Sequence, residues 1–108
     1  MKTTKINYDA CIKACQDCIV SCQNCLAQMS GKESDNECPL CCALCIDACL
    51  TAIKFMVAQS YFAKQYVEIC ADVCEWCAEQ CEMHDHDHCH ACAEACRICI
   101  DECRKMVA

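Results

Sequence analysis

Cys89, Cys92, Cys96, Cys99 and Cys103 follow one another at steps of three, four, three and four. A thiolate is a nucleophile and a soft metal ligand, so five thiols in one line could bind metal or exchange disulfides. The rhythm recurs in Cys11, Cys15, Cys18, Cys22 and Cys25, in Cys38, Cys42, Cys45 and Cys49 with Cys41 beside them, and in Cys70, Cys74, Cys77 and Cys81. These four ladders account for all 19 cysteines of the chain.

Steps of three and four keep a residue on one side of an α-helix, along a seam of average period 3.5. The residues between the sulfurs of the last ladder, such as Glu94, Arg97, Asp101 and Arg104, are helix formers suited to an outer face. Four helices are therefore expected, each with sulfur along its buried seam. Antiparallel helices meet where residue numbers sum to a constant, and all four ladders pass that test together. The expected layers are Cys11–Cys49–Cys70–Cys103, Cys15–Cys45–Cys74–Cys99, Cys18–Cys42–Cys77–Cys96 and Cys22–Cys38–Cys81–Cys92. The implied turns fall near Ser30-Gly31, Gln59-Ser60 and His86-Asp87, where turn and cap residues stand.

The expected fold is all-α, an antiparallel up-down-up-down four-helix bundle with a Cys-lined core. One domain spans residues 1–108, with helices at about 7–29, 35–57, 60–83 and 87–106. Ser34 with Glu37 resembles a capping box, whereas Pro39 suits the first turn of a helix, so the second helix starts between Ser34 and Cys38. Asp85 or Asp87 is the expected N-cap of the fourth. One layer beyond Cys11 the register reaches Tyr8, Ala52, Val67 and Met106, then Ile53, Met56, Phe62 and Tyr66, an apolar plug. Beyond Cys22 it reaches Cys25, Asp35, His84 and Cys89, then Met29, Met83, His86, His88 and His90. One end is closed, and the other is a mouth of soft and borderline ligands.

Cysteine makes up about a third of the 56% hydrophobic content, so the ordinary apolar core is thin. A thiol packs as a small hydrophobe and can stand in for it. An odd number of cysteines, regular helices and no apolar export segment over Met1–Cys15 oppose a secreted disulfide scaffold and point to a reducing cytosol. No run of 18 apolar residues suggests a membrane span. The net charge of −7 offers no basic stripe for nucleic acid and mildly favours a cationic ligand.

Charge also selects the metal. Zinc in Cys₄ sites would leave roughly −8 among sixteen buried thiolates, which is very costly. Cu(I) carries one positive charge, prefers soft thiolates and bridges them at low coordination, so copper and sulfur balance one for one. Capacity is then on the order of one Cu(I) per cysteine, roughly 16–20 ions.

The other candidates keep two readings each. Cys41 lies off the main seam, as a ligand or a plain thiol. His84, in the fifth layer, is a ligand or a loop histidine. His86, His88 and His90 read as a solvated turn or a transient entry site, and Met29 and Met83 as thioether ligands or helix-end packing. Phe62, Tyr66, Ile69, Val73 and Trp76 form a second apolar seam on the third helix, turned away from the cysteines, and mark a self-association surface.

The segments CIKAC, CCALC, CADVC, CRICIDEC and HDHDHCHAC give the whole chain a resemblance to the bacterial copper storage proteins, and the last resembles their cytosolic branch. The resemblance implies Cu(I) storage in the cytosol, a closed end, an open end for metal entry, core cysteines as ligands and tetramers of bundles. Unidentified Cu(I) donors and acceptors are then the partners, with no nucleic acid or membrane. A zinc-buffering or thiol redox-sensing protein is the first rival, and an iron–sulfur electron carrier a weaker one, since cluster motifs sit in loops. No nucleophile–base pair stands apart from the ladders, so no enzyme is expected.

Overall fold

Asn7 Oδ1 accepts a hydrogen bond from the Asp9 amide (3.0 Å), and the chain turns into α1, Asp9–Gln28. This helix stops at Gly31, whose φ of +78° is open to glycine at little steric cost. In the computed structural model, which describes residues 5–34 and 36–108, three more helices follow: α2 (Cys38–Val57), α3 (Ala63–Glu82) and α4 (Asp87–Val107).

α2 starts at the late end of the range expected for it, and α3 starts three residues later than expected. Ser34 caps nothing: its hydroxyl bonds Asn36 and His84, while Asn36 Oδ1 takes the Cys38 amide and Pro39 fills the first turn of α2. Ser60 Oγ likewise receives the Phe62 amide (3.1 Å) before α3 begins. Neither Asp85 nor Asp87 is the N-cap of α4; His86 holds that position in extended conformation, and Asp87 joins the first turn, where its charge suits the helix dipole.

Each helix packs against its two chain-order neighbours, α4 closing back on α1, in a bundle extending 56 × 20 × 17 Å. All 19 cysteines are fully buried, and no polar or charged residue is buried among the described residues. Small residues suit a close approach of α3 and α4, where Ala71, Ala78 and Ala93 are buried with Ile100. Arg97 to Glu82 and Arg104 to Glu75, each 2.7 Å and half-exposed, add about 0–1 kcal/mol apiece along the same seam.

α2 reaches a mean hydropathy of 2.0 over an 18-residue window, so by length and composition it is apolar enough to cross a membrane, although the sequence offers no run of 18 apolar residues. Its hydropathy has two sources. Seven of its residues are buried toward the bundle axis. Beside that core Ile46 and Ile53 of α2 and Val73 and Trp76 of α3 are partly buried, Phe55 stacks on Tyr66 at 4.1 Å, and Leu50, Val57, Phe62 and Ile69 are exposed. Continuing the register of the cysteines puts these residues on one side of the two helices. The seam expected on α3 alone is thus half of a two-helix apolar face, with Val57 67% and Phe62 59% exposed.

A cysteine column as candidate metal centre

Two ladders of sulfur pairs run along the bundle axis. Between α1 and α4 the Sγ–Sγ distances are 3.6 Å for Cys11–Cys103, 3.6 Å for Cys15–Cys99, 3.7 Å for Cys18–Cys96, 3.5 Å for Cys22–Cys92 and 3.7 Å for Cys25–Cys89. Between α2 and α3 they are 3.7 Å for Cys49–Cys70, 3.6 Å for Cys45–Cys74 and 3.7 Å for Cys38–Cys81. Both sets of pairs are those expected from the sequence.

The offset between the two ladders is not. Cys18 lies 3.7 Å from Cys45 rather than level with Cys42. Cys15, Cys49, Cys70 and Cys99 form one group with all sulfurs within 4.8 Å of one another, and Cys22, Cys42, Cys77 and Cys92 form another. The α2–α3 ladder is slid by one rung toward the end where α1 finishes. The connection of nine residues between Gln28 and Cys38 is long enough to permit the slide.

The slide changes both ends. Cys11 and Cys103 stand level with Ala52 and Val67 instead of Cys49 and Cys70, and below them Tyr8, Met56 and Ala63 complete the plug, all buried. At the mouth the last rung is Cys25, Cys38, Cys81 and Cys89, with Cys89 beside both Cys25 and Cys38. It is made of four cysteines, not of Cys25, Asp35, His84 and Cys89; Asp35 lies outside the described residues. His84 is displaced outward, its Nε2 2.8 Å from Asn36 Oδ1 and 3.1 Å from Ser34 Oγ.

The histidine at the sulfurs is His88, for which a solvated turn and a transient entry site were the two readings. Its Nδ1 is 3.5 Å from Cys25 Sγ and 3.5 Å from Cys89 Sγ, and its Nε2 is buried with no hydrogen-bond partner. The signal was available, since position 88 is one residue from the register point opposite Cys25. Burial, aided by the neighbouring His86 and Lys32, holds the His88 pKa below its ordinary value, so the ring is neutral at pH 7 and in its ligand form. His86 stacks on His88 at 5.1 Å and His84 on His86 at 6.0 Å. His90 is exposed and donates Nε2–H to the His84 carbonyl at 2.7 Å. Met29 is 2% exposed and packs in the core, whereas Met83 is 71% exposed.

Cys41 is buried off the column, its thiol donating to the Cys38 carbonyl at 2.9 Å. All 19 thiols are free. Burial pushes the Cys38 thiol up to about 12 and raises Cys89 as well, so these mouth thiols are protonated at pH 7. A cation that enters must displace protons, and sulfurs 3.5–3.9 Å apart offer it a neighbour at each step. A fully buried column, with no charged residue buried beside it among the described residues, suits a univalent, thiophilic ion.

The family described as "Csp: Copper storage protein" matches residues 4–108. The chain is 42% identical over 103 residues to the uncharacterized cysteine-rich protein YhjQ of Bacillus subtilis strain 168, covering 93% of this chain and 95% of that one. Among solved structures, Cu(I)-bound copper storage protein BsCsp3 is similar at TM-score 0.89 and 40% identity, over 94% of this chain and 100% of that one. Apo copper storage protein 3 from Bacillus subtilis gives 0.83 at 42% identity, covering 93% and 98%. A crystal structure from Nitrosospira multiformis gives 0.81 at 31%, covering 96% and 97%.

Proposed function

We propose that this chain, which belongs to the copper storage protein family, takes up Cu(I) at its histidine-bearing mouth and holds it along the cysteine column in the cytosol. Storage of many Cu(I) ions is its function, and one observation carries it: nineteen free, fully buried thiols lie in or beside a continuous column. The ligands are the thiolates of the four ladders, with Cys41 reached last because its proton is held by a carbonyl. His88, with His84 and His86 stacked outside it, receives the ion first and passes it to Cys25 and Cys89. Rungs are about 5 Å apart, so an ion moves inward without losing all its ligands. No catalytic step is assigned.

The two-helix apolar face of α2 and α3 supports association of bundles, and we assign it to a homotetramer. Leu50, Val57, Phe62 and Ile69 would leave water there. Titrating reduced apo-protein with Cu(I) tests the central reading. Thiolate-to-copper absorption in the ultraviolet is expected to rise linearly to roughly 16–20 equivalents. Saturation at four or fewer ions would reject storage.

A further inference from the structure

The charge of the molecule is distributed along its axis as unevenly as its ligands. The rung of Cys18, Cys45, Cys74 and Cys96 divides the bundle. By sequence, residues 19–44 and 75–95 on the mouth side carry nine acidic residues against Lys32 alone, a net −8, while the remainder nets +1. Arg97 and Arg104 reach across the division to Glu82 and Glu75, and with those two pairs counted the mouth side still holds −6 of the chain's −7. Glu33, Glu37, Asp85 and Asp87 lie in or beside the two connections that frame the mouth, all exposed and without an ion-pair partner among the described residues. A second observation marks the same place: the His88 Nε2 is buried and unpartnered there, at the head of the three stacked imidazoles.

We infer that the mouth is a docking surface for a Cu(I)-carrying protein whose metal-bearing face is positively charged; this rests on the storage reading above. A field concentrated at one end orients an approaching partner as well as attracting it, and such steering is worth about 10- to 1000-fold in association rate. An anionic small-thiol complex of Cu(I) is repelled by the same charges. The exchange itself is neutral in electrons: copper remains Cu(I), leaves two donor thiolates for two thiols of the mouth, and the protons those thiols release pass to the donor.

Two synthetic donors separate these cases, a Cys-x-x-Cys peptide carrying one Cu(I) and flanked by lysines, and the same peptide flanked by glutamates. Transfer to reduced apo-protein is followed by stopped-flow ultraviolet absorption. At low ionic strength the lysine-flanked donor is expected to deliver about tenfold faster or more, and at 0.5 M salt the gap is expected to close to about twofold. The variant Glu33→Gln/Glu37→Gln/Asp85→Asn/Asp87→Asn should narrow the gap. Asp17→Asn/Asp47→Asn/Glu68→Gln/Asp101→Asn, an equal charge change away from the mouth, should leave it. Equal rates from the two donors on the unaltered protein, or equal narrowing in both variants, would overturn the inference. The saturating copper number, read in the same samples, reports on storage separately: if it holds while the rates ignore charge, only the docking surface fails.

Discussion

At the scale of single residues, the mouth turns on an imidazole that touches sulfur. His88 is held with Nδ1 equidistant from two thiols, 3.5 Å from each, and burial keeps it uncharged. A neutral ring can accept an ion from outside and release it to sulfur, whereas an imidazolium would repel it. Replacing it by a ring of similar size that cannot ligate should therefore affect the path and not the reservoir. His88→Phe is expected to slow initial Cu(I) uptake on the order of tenfold with the saturating number unchanged. Stopped-flow and equilibrium titrations measure the two separately, and a fall in capacity with unchanged rate would contradict an entry role.

At the scale of elements, the closed end is held by a residue in an unusual conformation. Gln59 follows α2 with φ of +54°, a left-handed geometry that costs a residue with a Cβ about 1 kcal/mol. Its side-chain amide pairs with the backbone of Ile6, accepting from the amide at 2.9 Å and donating to the carbonyl at 2.9 Å. The clasp ties Ile6 to the end of α2, beside the buried Tyr8 and Met56 of the plug. Gln59→Ala loses both bonds and keeps the strain, at an expected cost of about 2 kcal/mol in urea unfolding. Gln59→Gly loses the bonds but relieves the strain, at about half that cost. If alanine proved no worse than glycine, the left-handed backbone would not be under strain.

At the scale of the whole molecule, folding and cargo are coupled. An apo core built from thiols has less hydrocarbon to bury than most bundles of this length, and metal that binds only the folded state adds to its stability by mass action. Copper-loaded protein should melt well above apo-protein, and a Cu(I) chelator should return the transition to the apo value. Loading also moves protons. Burial raises the Cys38 thiol to about 12 and raises the Cys89 thiol as well, so both are protonated at pH 7 and an incoming ion displaces protons as it binds. Affinity therefore rises with pH and falls on acidification. Titration in weak buffer with an indicator dye is expected to show roughly one proton released per Cu(I); release well under half of that would mean the thiols are already ionised.

The sequence by itself determined that there are four helices, which face of each carries sulfur, and which ladders pair: α1 with α4 and α2 with α3, at the sulfur pairs observed. It also placed apolar packing at one end of the column and histidines at the other. Only the tertiary structure decided the one-rung slide between the ladders, and with it the exchange of His84 for His88 at the sulfurs. A pattern repeating every 3.5 residues nearly coincides with itself when moved by one rung, so spacing alone leaves that choice open. The five-residue connection from α2 to α3 is tight enough to hold its pair in register. The nine-residue connection before α2 is not, and there the packing of Ala52, Met56 and Val67 beneath Cys11 and Cys103 settles the alignment.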